Sequence, residues 1–222
     1  MINRMFFFVM FFMTPLTTAS AQEIAKVPPP FGLTWGMSQA DAKRMGILLE
    51  CHQDKLFTLC KTASLPKNLS NAESYILTFS ADNKLVEARY ASNNFINDAF
   101  GTKGKAEYER VKKILSKKYG LPPINLEFVG QHLYKEKDEF YQCLSDVNCG
   151  IWSSQWKFPY KSSIVLTDGR YVYRHDKSGI HLTLSGLERG IGHISITYTS
   201  SNFEAAFGAA KDKHKEQDES AL

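Results

Sequence analysis

The strongest constraint on this 222-residue chain is that it repeats itself. Tyr90-Ala91-Ser92-Asn93-Asn94-Phe95 matches Tyr198-Thr199-Ser200-Ser201-Asn202-Phe203 at Tyr, Ser, Asn and Phe with one constant offset of 108 residues. After a single deletion, Ala99-Phe100-Gly101 matches Ala206-Phe207-Gly208. Upstream, Leu77-Thr78-Phe79-Ser80 lines up with Leu182-Thr183-Leu184-Ser185, three residues being inserted in the second turn. Self-similarity at a fixed spacing marks a duplicated unit. Each copy reads as strand, turn, strand, then an Asn-Phe step into a helix, and a unit of about 100 residues can carry its own small core. The expectation is an α+β fold: antiparallel sheets with helices packed on one face, in two related halves meeting near residues 102–125.

The chain starts with Arg4, an almost unbroken Phe/Met/Val run to Met13, Pro15, and then Ala19-Ser20-Ala21, the small-x-small form of a signal-peptidase site. The apolar run is shorter than the roughly 20 residues a membrane span needs. Residues 1–21 therefore read as a cleaved secretion signal, and no cysteine follows it to take a lipid. Losing Arg4 lowers the formal charge of +4 by one, too mild and too evenly spread a balance to argue for nucleic acid. No later apolar run reaches spanning length. The expected location is the periplasm, or the medium, with no integral membrane span.

Export decides how the cysteines are read. Cys51, Cys60, Cys143 and Cys149 are an even set in an oxidising compartment, which favours disulfides. Of three possible pairings, Cys51–Cys60 and Cys143–Cys149 close short loops and need no distant packing, each contributing about 2–3 kcal/mol in the chain-entropy model. A metal site is the rival, because His52 adjoins Cys51, but there is no C-x₂-C pair.

Along the mature chain, residues 22–30 read as a Pro-rich extended leader. Ser38 with Asp41 three residues on predicts a capped short helix stopped by Gly46. Tyr75, Leu77 and Phe79 alternate in one strand, Asp82-Asn83 turns the chain, and Leu85 to Tyr90 returns. From Gly104 to Gly120, Tyr108, Val111, Leu115 and Tyr119 form a helical stripe, with Glu109 and Lys113 as an i,i+4 pair. Trp156, Phe158 and Tyr160 alternate, and residues 164–173 read as a hairpin turning at Asp168-Gly169. Strands over 180–185 and 193–199 follow. The domain plan is thus 1–21 signal peptide, 22–101 first α/β module with its leader, 102–208 linking helix and second, β-rich module, and 209–222 a charged flexible tail.

Gly36-Met37-Ser38-x-x-Asp41 opening a short helix, then a Tyr-x-Leu-x-Phe strand and a turn into Lys84-Leu85-Val86, resembles small exported α/β modules of the β-lactamase-inhibitor-protein-like group, which includes small outer-membrane assembly lipoproteins. The resemblance covers about 60 residues. It implies helices on one face of an antiparallel sheet, tandem duplication in some members, and protein binding rather than catalysis. The chain lacks the lipoproteins' lipid-bearing cysteine, and none of the inhibitors' contact residues can be placed on it.

Catalytic signatures are sparse. Leu184-Ser185-Gly186 lacks the first glycine of a nucleophile elbow, and no H-E-x-x-H, phosphate-binding loop or dinucleotide fingerprint occurs. His175, His181 and His193 could converge on a metal only if their strands were neighbours in the right register. Glu136 to Glu139 reads as a solvated charged loop. No catalytic residue, metal or cofactor is assigned. The aromatic run Trp152, Trp156, Phe158 and Tyr160, beside the second expected staple, is the candidate partner-binding patch, because stiff rings give contact area at small entropic cost; core packing and sugar stacking are its competing uses. Two functions follow from these features. One is a non-enzymatic protein-binding module: an inhibitor, an immunity-type protein or an envelope assembly factor acting on another envelope protein. The other is a small-ligand or glycan-binding protein, hydrolase activity included.

Overall fold

A computed structural model of the chain describes residues 27–221, apart from 55, 131, 147, 158–163, 168–169 and 174–177. Residues 1–21 read as a signal, most of the expected leader, Phe158, Tyr160, His175 and the expected Asp168-Gly169 turn lie outside the described residues.

Helix α1 (Gln39–Arg44) starts where the sequence places it. The Ser38 hydroxyl accepts the Asp41 N–H at 3.1 Å and the Asp41 carboxylate accepts the Ser38 N–H at 2.8 Å, so two orphan donors of the first turn are satisfied reciprocally. A short hairpin follows, β1 (Glu50–Gln53) and β2 (Thr58–Thr62), then β3 (Ala72–Phe79) and β4 (Leu85–Ser92), which turns through Asn83 at φ +59°. Helix α2 (Thr102–Tyr119) leads into β5 (Ile124–Phe128), and α3 (Phe140–Ser145) into β6 (Ile151–Lys157). The chain then makes a separate two-stranded hairpin, β7 (Ile164–Thr167) with β8 (Arg170–Tyr173), before β9 (Gly179–Glu188), β10 (Ile191–Thr199) and α4 (Phe203–Ala221).

Eight strands form one antiparallel sheet in the order β1-β2-β3-β4-β10-β9-β6-β5. The α+β class and the antiparallel pairing are therefore as expected. The first four strands meander in chain order, and the last four are joined to them along one seam, β4 against β10, running from Ser195 opposite Ala91 to Thr199 opposite Glu87. Side-chain alternation sends Tyr75, Leu77, Ala88, Tyr90, Leu182, Leu184, Ile194, Ile196 and Tyr198 to one face. There they form a single core with Ala42 of α1 and with Tyr108, Val111 and Leu115 of α2. The α2 stripe is the predicted one, and Ile114 beside it is 55% exposed. One detail differs. Glu109 pairs with Lys112 at 2.7 Å, because Lys112 also reaches Glu127 of β5 at 2.6 Å and so bridges the helix to the sheet.

One further expectation is corrected. After Asn94, Phe95 makes an isolated bridge to Gly192 and α2 begins only at Thr102, whereas after Asn202 the helix begins at once with Phe203. The charged 209–222 segment, read from its polarity as a fraying helix end or a flexible tail, continues α4 as far as Ala221. Its Lys, Glu, Gln and Ala are good helix formers, and Lys215 reaches Glu219 one turn on at 3.6 Å.

Both local disulfides are formed. Cys51 and Cys60 face each other across β1 and β2, and Cys143 of α3 is tied to Cys149 just ahead of β6.

Candidate functional site

Of the four aromatic residues expected to meet a partner, two fall within the described residues, and the sheet turns both toward the helices. Trp156 is 2% exposed, and its indole N–H donates to the Gly120 carbonyl at 2.8 Å, closing the end of α2. Its ring packs in the core, and the residue also borders a hollow on the sheet's outer face. Trp152 is half-buried. Its ring stands edge-on to Phe140 (centroids 5.3 Å apart) and to Tyr108 (6.5 Å). The Lys105 ammonium lies 3.9 Å from the Phe140 ring centre and 5.4 Å from that of Trp152, a cation–π arrangement that also directs its N–H to the Phe100 carbonyl at 3.1 Å. Partial burial lowers the Lys105 pKa, with Asp98 pulling the other way.

Beside this cluster, α3 is plugged into the sheet by one side chain. Tyr141 is fully buried, and its hydroxyl donates to the Asp98 carboxylate at 2.8 Å. The same carboxylate accepts the N–H groups of Lys103 and Gly104 at 3.1 and 3.0 Å, capping the first turn of α2. The slot that holds Tyr141 is walled by Gly104, Gly186 and Gly192, at each of which a Cβ would overlap the tyrosine. Gly186, which the sequence offered only as a fragment of a hydrolase motif, thus serves close packing.

The sheet face away from the core is polar, and the most developed constellation among the described residues stands there, across the β4–β10 seam. Glu87 is 15% exposed at its side chain, and Arg89 is 47% exposed, its guanidinium 3.6 Å from the Glu87 carboxylate. Thr78 and Thr199 donate to that carboxylate at 3.5 and 3.4 Å, and Arg89 Nε donates to Thr197 at 3.2 Å. Burial raises the Glu87 pKa, with Arg89 and the two hydroxyls opposing it. Glu87, Arg89, Thr197 and Thr199, with Gln155, Trp156, Lys157, His181 and Phe203, line a hollow of about 170 Å³. A second, wider hollow of about 500 Å³ lies between Ala205, Ala206 and Ala209 of α4 and the turn joining β3 to β4. The polar constellation was missed in the sequence, although its signal was present: Glu87 and Arg89 alternate with buried Ala88 and Tyr90, so their strand necessarily shows a charged face.

The histidines do not gather. His181 faces Thr197 and His193 faces Ser185, so the two stand four positions apart along the ladder, about 13 Å and too far to share a metal ion. His175 lies outside the described residues. Among those described, no three His, Cys, Asp or Glu side chains come together as metal ligands. No helix among them is long and apolar enough to cross a membrane.

No family model matches the chain, and no curated protein or solved structure matches it either.

Proposed function

We propose that the chain is an exported, non-enzymatic protein-binding module of the periplasm, which uses the polar face of its sheet to hold another envelope protein as an inhibitor, an immunity-type protein or an assembly factor does. The observation that carries this reading is the hollow over the seam. At about 170 Å³ it is smaller than the roughly 300–1,000 Å³ of small-molecule sites, yet a largely buried carboxylate and an exposed guanidinium share its walls. Such a recess suits one hydrogen-bonding side chain inserted by a protein partner, with Thr197 and Thr199 at its rim. The two disulfides support the compartment, since such bonds persist in oxidising surroundings. The duplicated ancestry read from the sequence belongs to the same proposal: Arg89 and Thr197, one repeat interval apart, face each other at the middle of the β4–β10 ladder, where equivalent residues of two copies related by a dyad would meet.

The second reading, a small-ligand protein, draws on the wider hollow beside α4, whose volume falls in the small-molecule range. Its described lining holds no aromatic ring for a sugar to stack on.

A photo-crosslinking residue placed at Thr197 in the living cell, against a control at Lys113 on the outer side of α2, separates the two. A protein adduct found at Thr197 and not at Lys113 supports the partner reading. Equal labelling at both positions, or no protein adduct with retained ligand binding, overturns it.

A further inference from the structure

The sheet has two ends, and they are built differently. At one end β1 is four residues long, exposed throughout, polar, and held to β2 by Cys51–Cys60. At the other end stands β5, Ile124-Asn125-Leu126-Glu127-Phe128, which among the described residues pairs only with β6. The outer backbone groups of an edge strand are a template for another strand, and native proteins blunt such edges with lysines, prolines or bulges. Within β5 there is none of these. Its single charge, Glu127, is taken by Lys112 of the same chain at 2.6 Å. Leu126 and Phe128 remain half-exposed, and the apolar side chains of Leu121 (86% exposed), Val129 (39%) and Leu133 (54%) flank the strand.

We propose that β5 pairs with β5 of a second copy of this chain, antiparallel about a dyad at Leu126, joining two eight-stranded sheets into one. The strand is self-complementary in that register. Ile124 faces Phe128 of the other copy, Leu126 faces itself, and Asn125 faces Glu127. Apolar side chains therefore meet on the face away from α2, and an amide meets a carboxylate on the helix side. No like charges are opposed, which is the condition for an isologous contact of a strand with itself. A shift by one residue sets Leu126 opposite Glu127 or Asn125 and loses the match. A strand pair of this length falls short of the roughly 1,200 Å² of a stable interface, and the exposed Leu121, Val129 and Leu133 at its ends extend the contact.

This inference is independent of the use of the polar face. Sedimentation equilibrium of the oxidised, signal-free protein tests it, with the variants Leu126→Lys and Leu126→Glu. The wild type is expected at twice the mass of the chain, each variant alone at the monomer mass because like charges meet on the dyad, and an equimolar mixture back at twice the mass. Recovery in the mixture also shows that both variants are folded. A wild type that is monomeric throughout the concentration range overturns the proposal. So does a dimer indifferent to Leu126→Lys, which uses another surface, and so does a mixture that stays monomeric, which does not bring residue 126 opposite itself.

Discussion

Tyr141 and the glycines around it show how much of this fold turns on single side chains. Alanine at Gly192 would place a methyl group against the Tyr141 ring and 2.6 Å from the Ser185 carbonyl, where the sheet backbone cannot move away. Gly192→Ala is expected to lower the unfolding free energy by about 1–3 kcal/mol or more. Gly208→Ala, which meets nothing within 4 Å in α4, should be neutral or stabilise by about 1 kcal/mol. Urea unfolding followed by circular dichroism measures both, and equal losses would contradict the slot. Glu87 carries a prediction of the other kind. Burial raises its pKa above the ordinary 4.5, so the folded state holds that proton to higher pH than the unfolded chain does. Its contribution to stability is therefore present at acid pH and declines as pH rises from about 4.5 through the raised value. Glu87→Gln removes that dependence. The stability of the variant relative to wild type should climb as pH rises from 4.5 through the raised value and then level off, and a difference that stays flat with pH would refute the desolvated carboxylate.

Among the elements, α2 was the most legible, because a 3.6-residue stripe depends only on local spacing. Its orientation is testable by a pair of neighbours: Leu115→Ala, at 5% exposure, should cost about 2–5 kcal/mol, and Ile114→Ala, at 55%, within about 0.5 kcal/mol of nothing, both by thermal or denaturant melts. The strands β3, β4, β9 and β10 were legible for the same reason, their alternation having a period of two. The hairpin β1–β2, the edge strand β5 and helix α3 were not. Each is four to six residues long, and α3 in particular is held by what Tyr141 enters rather than by its own pattern. Spacing put Trp156 in an alternating strand pattern, but a strand has two faces, and only the sheet's neighbours decide which of them is covered.

At the scale of the whole molecule, the two staples sit in unlike surroundings. Cys51 is exposed on the edge strand β1, whereas Cys143 and Cys149 are both fully buried. Mild reductant without denaturant should open Cys51–Cys60 first, leaving Cys143–Cys149 closed until the fold opens. Alkylation and peptide mapping over time would reveal the order, and earlier labelling of Cys143 or Cys149 would count against this packing. Full reduction is expected to remove about 2–3 kcal/mol per bond. Against the roughly 5–15 kcal/mol of a typical domain, the protein should remain folded and melt at a lower temperature.

Disulfide pairing, the capped first helix, the long amphipathic helix and the antiparallel strands were all determined by the sequence itself, since each follows from residues fewer than about twenty apart. What only the tertiary structure decided is how distant pieces meet: β4 against β10, α3 in its glycine slot, and Glu87, Arg89, Thr197 and Thr199 gathered over the seam. Alternation tells which residues share a face of a strand, but not which strand lies alongside. Residues about 110 apart become neighbours through the packing of the whole sheet, and no local periodicity in the chain encodes that contact.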